Sequence, residues 1–300
     1  MILKFLKRAF AFAGLATATI AAPQAVAATA TSARPALWEV SDHDTTIYLF
    51  GTIHLLPPNY SWESPAIHKA VDTSNMLYVE TIVDQKNPAE LIAALARLGY
   101  SNGLPPLADR IDPAKRPLLE AAIAKSGIQR AWFDRMETWA AAFVLLGVQY
   151  GDLGLEGKSG VEQTLRDSFS AEGKPVGQLE TNAEQLGFFD QLPETAQRAL
   201  LEGAISDEKE AKDDFSEMLN GWARGDVDAI ARTFNRDLAD SPALRDVLLK
   251  HRNANWSRWI EGRMQQPGTI MIAVGAGHLA GKDSVLALLK HDGYRVNRLQ

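Results

Sequence analysis

Two stretches, Thr46-Ile47-Tyr48-Leu49-Phe50-Gly51-Thr52-Ile53-His54 and Thr269-Ile270-Met271-Ile272-Ala273-Val274-Gly275-Ala276-Gly277-His278, decide how the rest of the chain is read. Each is an unbroken apolar run of strand-forming residues that meets a glycine and, three residues after a glycine, a histidine. A run of this kind describes a strand covered on both faces, as in a parallel or mixed sheet flanked by helices. Glycine at its end permits a sharp turn or a close approach of backbone to a neighbour or ligand. Both imidazoles are therefore predicted at the carboxyl ends of strands, where open α/β sheets form their binding crevices.

Working outward, Leu37–Val40 and Thr45–Phe50 flank the turn-like Ser41-Asp42-His43-Asp44 and predict a hairpin. Ser64-Pro65 starts a helix, with serine as cap and proline in the first turn. Met76-Leu77-Tyr78-Val79 is a further buried strand, and it runs directly into Glu80. Asn87-Pro88 and Asp112-Pro113 open helices by the same cap logic, and Phe133–Val148 reads as one helix. Residues 85–173 hold little strand signal and read as a helical insertion. Pro175-Val176-Gly177-Gln178-Leu179 is a short strand ending on Glu180, after which Thr181 and Glu184 make a capping-box pattern. Residues 182–265 are then helical, and the sheet resumes at Thr269. The expectation is one α/β domain over 28–300, with a mixed central sheet and helical insertions.

The segment 1–27 has another character. Lys4, Lys7 and Arg8 precede an apolar stretch, and Ala25-Val26-Ala27 fits a small-residue cleavage site, so residues 1–27 read as a signal peptide for a periplasmic or secreted protein. No later segment is long and uncharged enough to span a bilayer. Removing this segment takes three basic groups and no acid, leaving 28 Lys and Arg against 37 Asp and Glu. That acidic balance argues against nucleic acid as partner. The chain has no cysteine. Disulfides, thiol nucleophiles and thiolate metal sites are therefore excluded, and any metal must sit on nitrogen and oxygen.

His54, Glu80, Glu180 and His278 each follow a predicted strand. Two imidazoles with one or two carboxylates are the donor set of hydrolytic metal sites. A bound divalent ion makes hydroxide available near neutral pH and polarises a carbonyl. In this reading His54, Glu80 and His278 hold the metal, Glu180 serves as a further ligand or base, and Arg252 steadies an oxyanion. Plainer readings stand beside it: buried histidines bonded to backbone, carboxylates favouring a helix amino end, and an arginine in an ordinary helix-face ion pair. Other motifs fail. Gly275-x-Gly277-x-x-x-Gly281 lies too near the end of the chain to open a dinucleotide domain, Asp152 stands where a phosphate loop at Gly157-Lys158-Ser159 needs glycine, and neither G-x-S-x-G nor H-E-x-x-H occurs.

Leu37-Trp38-Glu39-Val40, Gly51–Pro57, Val79-Glu80, Leu179-Glu180-Thr181, Arg252-Asn253 and Val274–Gly281 together resemble the TraB/GumN family, whose animal relatives include the Tiki proteases. The resemblance covers nearly all of the chain after Ala27. It implies a fold related to the haem-binding ChaN protein and the erythromycin esterases. Through the Tiki branch it also implies a manganese- or cobalt-dependent peptidase activity, but the substrate does not transfer with the family. Zinc as an alternative metal, and a peptide, protein or small ester or amide as substrate, are expectations of the hydrolytic donor set. Residue by residue the resemblance points to His54, Glu80 and His278, with Arg252 as the basic residue between the histidines. The competing expectation is a non-catalytic periplasmic binding protein for haem, metal or envelope polysaccharide.

Overall fold

The structure is a computed structural model that describes residues 33–83, 88–205, 208–238 and 242–300. The signal-peptide expectation for residues 1–27 lies outside them, as does the cap expected at Asn87. Six strands form one mixed sheet: β1 (Leu37–Ser41), β2 (Thr45–Thr52), β3 (Met76–Val79), β4 (Val176–Gln178), β5 (Gly268–Gly275) and β6 (Val296–Arg298), in the spatial order β4-β3-β5-β2-β1-β6. β4, β3, β5 and β2 run parallel, while β1 is antiparallel to both β2 and β6. The mixed α/β expectation is met, and so is the hairpin, whose turn is held by Asp42 Oδ1 accepting from the amides of Asp44 and Thr45.

The two apolar runs are continuous because both faces of the sheet are buried. Ile47 and Leu49 of β2, with Ile270, Ile272 and Val274 of β5, face the layer formed by the helices Arg252–Arg263 and Val285–His291, where Trp256, Ile260 and Leu289 meet them. Tyr48, Phe50, Met271 and Ala273 face the opposite, larger helical layer. That layer includes the helices between β3 and β4, among them Thr138–Asp152 and Val161–Ala171, and the helices Asn182–Asp190, Glu194–Ala204 and Glu208–Ala223 that follow β4. Two central parallel strands sandwiched in this way have no solvent-facing alternation for a sequence to show.

Several boundaries follow local chemistry. Ser64 caps the helix Pro65–Thr73 by accepting from the amide of Ile67, and the Thr181–Glu184 capping box forms as expected. The single helix expected over Phe133–Val148 is instead a short turn, Arg130–Phe133, followed by Thr138–Asp152. The reason is Arg110, a buried guanidinium that donates to the carbonyls of Asp134 and Met136, while Asp134 accepts from the amide of Leu107. These bonds replace helical ones and interrupt the helix. Asp112 caps a 3₁₀ turn, Pro113–Lys115, which leads into Arg116–Ser126.

The glycines before the histidines are required for space. Gly51 and Gly275 both keep negative φ, but a Cβ on Gly51 would stand 3.0 Å from Ala276 Cα, so only glycine lets β2 lie against the loop after β5. Gly51→Ala is expected to lower stability by about 1–3 kcal/mol, the usual cost of overpacking, read as a lower urea midpoint with unchanged slope.

Candidate functional site

The parallel strands deliver their following residues to one edge of the sheet. His54 stands two residues past β2, Glu80 one past β3, Glu180 two past β4 and His278 three past β5. Because β2 and β5 pair in register, Gly51 with Val274 and Thr52 with Gly275, the two glycine–histidine loops leave the sheet side by side. The five residues predicted from sequence meet there.

Arg252 lies at the centre, 2 % exposed. Its Nη2 donates to Glu80 Oε2 at 2.6 Å, its Nε donates to Glu180 Oε1 at 2.8 Å, and its Nη1 donates to His278 Nε2 at 3.1 Å. A second guanidinium contact to Glu180, from Nη2, makes that pairing two-pronged. Trp256 covers the guanidinium, its ring centre 4.7 Å from the arginine carbon, and the same indole lies 4.5 Å from the His278 ring. Trp256 is thus a packing residue, and what it packs against is the charged cluster. Gln185 bridges the acids, donating to Glu80 and Glu180.

Guanidinium offers only donors, so His278 Nε2 must carry the lone pair and Nδ1 the proton. Asn253 Oδ1 receives that proton at 2.6 Å. The amide's other end donates to the carbonyl of Asp283 at 2.7 Å, which fixes its orientation. His54 is held differently: its Nδ1 lies 2.8 Å from Glu162 Oε2, and Glu162 Oε1 accepts from Thr52 Oγ1 at 2.9 Å. Sequence reasoning missed Glu162 and gave Asn253 no role. An acid in the first turn of a helix is common, and Glu162 lies far along the chain from His54, so spacing carried no signal.

The remaining imidazole face, the acid and the second histidine converge on the missing side chain of Gly275. A Cβ there would be 3.1 Å from Glu80 Oε1, 3.7 Å from His278 Cδ2 and 3.8 Å from His54 Nε2. Gly275 also donates its amide to Glu80 Oε1 at 2.7 Å. A cavity of about 20 Å³ opens at this point, lined by His54, Glu80, Gly275 and His278 and roofed by Met218, Trp222 and Ile230. That is room for a water-sized guest. His54, Glu80 and Glu162 can each offer a ligand atom within 4.8 Å of the others. Arg252 and Glu180 stand one layer back from the cavity lining.

The charge balance shapes the titration. Burial opposes a charged His54, but the Glu162 carboxylate outweighs it, with help from Glu80, and lifts the imidazole to about 9. Burial also works against the Glu80 carboxylate, yet Arg252 and the neighbouring imidazoles bring it down to about 2. Glu180, sharing the same arginine, is pushed up by burial against the pull of Arg252. Burial and the adjacent guanidinium drive His278 down to about 3, so it is neutral. Both the raised imidazole and the raised acid belong to a buried site with three carboxylates and one permanent cation.

The guanidinium is aimed by an irregular helix. An α-helical turn, Pro242–Arg245, passes into a π-helical stretch, Asp246–His251, and then into Arg252–Arg263. Leu244, Leu248, Arg252, Trp256 and Ile260 are all buried at intervals of four. A regular α-helix drifts by about 40° over each such interval, and the wider π turn takes back part of that rotation. The remaining histidines, His43, His68, His251 and His291, are exposed and far from this chemistry in role.

An α/β protein with paired histidines, strand-end acids and a buried arginine at the carboxyl edge of its parallel strands is the class these features define. The chain belongs to the TraB/PrgY/gumN family, whose model matches residues 36–298. It is similar to the protein YbaP of Escherichia coli strain K12, described as uncharacterized, with 26% identity over 249 residues covering 81% of this chain and 87% of the relative. The YbaP protein of Shigella flexneri matches to the same extent. No solved structure matches.

The two histidines set opposite pH limbs. His278, with its folded value below the usual 6.5, contributes stability that is complete above 6.5 and is lost as pH falls towards 3. His54, raised, contributes stability that is complete below 6.5 and is lost as pH rises through about 9. Metal-free protein is expected to be most stable near pH 6.5 in urea titrations run from pH 4.5 to 9.5. His278→Gln should flatten the acid limb and leave the alkaline one.

Proposed function

We propose that the chain is an exported, divalent-metal-dependent hydrolase of amide or ester bonds, peptidase-like in substrate class. The observation that carries this reading is the convergence of His54 Nε2, Glu80 Oε1 and the His278 ring on the empty position beside Gly275. The donors are nitrogen and oxygen only, the cavity matches one ion or water, and the negative surplus that protonates His54 is what a dication would relieve. His54 and Glu80 would hold the ion, with His278 completing the set when its Nε2 turns from Arg252. Bound there, the ion would supply an activated water and polarise a carbonyl. Glu80 is oriented for ligation by Arg252 and by the Gly275 amide, and Glu180 offsets the guanidinium charge. From one layer back, Arg252 and Glu180 serve by orienting the acid and imidazole rather than by touching substrate. The ChaN and erythromycin-esterase relationship, the native metal and the periplasmic address belong to the same proposal and rest on the family resemblance and on the segment 1–27.

A binding protein is the second reading. The cavity size favours a bare metal ion as its cargo over haem or polysaccharide, neither of which a space of about 20 Å³ admits. Metal analysis of wild type, His54→Ala and His278→Ala, with a peptide library as substrate, separates the two. Expected are about one manganese, cobalt or zinc per wild-type chain, loss of metal in His54→Ala, and cleavage that requires both. Stoichiometric metal without turnover supports the binding reading, and unchanged metal content in His54→Ala rejects the site.

A ligating imidazole must be neutral, whereas His54 carries a proton at pH 7. Manganese(II) uptake should therefore release about one proton and tighten roughly tenfold per pH unit between pH 6 and 8. Calorimetry in two buffers of different protonation enthalpy checks this, and heats independent of buffer would contradict it.

A further inference from the structure

We propose that Glu162 is the positioning residue of His54: it holds the Nδ1 proton so that Nε2 is the nitrogen presented to the cavity. The carboxylate is committed at both oxygens, Oε2 lying 2.8 Å from His54 Nδ1 and Oε1 accepting from Thr52 Oγ1 at 2.9 Å. Thr52 is the last residue of β2, so the acid is braced against the strand that carries the histidine.

The backbone around it is built for the same purpose. Gly160 precedes the helix Val161–Ala171, and a Cβ on it would fall 2.0 Å from the His54 carbonyl oxygen. The amide of Val161 donates to the carbonyl of Ile53 at 3.0 Å. The first turn of this helix is therefore seated directly on the Ile53-His54 backbone, which leaves the Glu162 side chain a short, fixed reach to the imidazole. A carboxylate that merely favoured the helix amino end would need none of these contacts.

The consequence is an asymmetry between the two histidines. His278 leans on a neutral amide, Asn253, and His54 on a carboxylate. Either acceptor fixes the tautomer and orientation of its imidazole, but only the charged acid also strengthens the ring as a ligand or base. His54 is then the stronger donor of the pair. This consequence rests on the proposed metal site, but the Glu162–His54 contact does not.

The test uses the full-length, metal-free chain with nitrogen-15-labelled histidine. Wild type should show a slowly exchanging, downfield proton bound to His54 Nδ1. Glu162→Leu should lose that resonance, and Glu162→Gln, which still offers an acceptor, should keep it with a smaller downfield displacement. Manganese(II) binding should weaken about 10- to 100-fold in Glu162→Leu, the usual effect of removing a partner of a ligating histidine. It should weaken less in Glu162→Gln. Persistence of the Nδ1 resonance in Glu162→Leu overturns the assignment. If wild type binds no manganese, the metal reading fails alone, and the resonance still decides the role of Glu162. Should Glu162→Leu not fold, the displacement in Glu162→Gln carries the decision, and an unshifted resonance there rejects the assignment.

Discussion

The site depends on one buried guanidinium. A charge as enclosed as Arg252 is tolerable only with full pairing, and Glu80, Glu180 and His278 supply it from three different strand ends. The relation works in both directions. Glu80 and Glu180 lie close enough to repel, and without the arginine between them at least one would have to take up a proton. Removing Arg252 would leave two buried acids without a counter-charge, held only by Gln185 and the Gly275 amide, while removing either acid would leave the cation short. Such clusters contribute little net stability but strongly disfavour every arrangement in which a member is displaced. The ends of β3, β4 and β5 are held in mutual register by this preference as well as by the sheet.

The sheet supplies what the cluster needs. Four neighbouring strands run the same way, so their ends arrive at one edge, and the antiparallel β1 and β6 lie outside that group. The hydrogen-bonded pairing of β2 with β5 fixes the distance between the histidine loops, and the glycines allow those loops to touch. Geometry of this kind requires no long-range coincidence of loops. It follows from strand direction, from register and from two missing side chains.

Much of this was legible in the sequence for a plain reason. A strand buried on both faces must be apolar throughout, so a histidine or glutamate directly after it announces a change of environment, and His54, Glu80, Glu180 and His278 all carried that signal. Capping chemistry gave the helix starts at Pro65 and Asn182. Glu162 was silent because its meaning lies in a contact across the fold, and a first-turn acid has an ordinary explanation. The break near Asp134 was equally hidden, since it is made by Arg110, a residue on a separate element. Arg252 was singled out as a cation for an oxyanion and as the basic residue of the family pattern, but its place between two buried acids and an imidazole depends on contacts across the fold and left no mark on the sequence. Nothing in the composition of residues 246–251 marks them as anything but α-helical.

That π-helical stretch makes the aim of Arg252 a matter of count as much as of kind. Lys250 and His251 face solvent, so their side chains are open to exchange. Their backbone is not open to deletion: losing one residue between Leu244 and Arg252 would rotate one end of the helix against the other by about a quarter turn. Either the guanidinium would swing away from its acids or Leu244 would leave the core. Along this segment, length should therefore be held more strictly than identity.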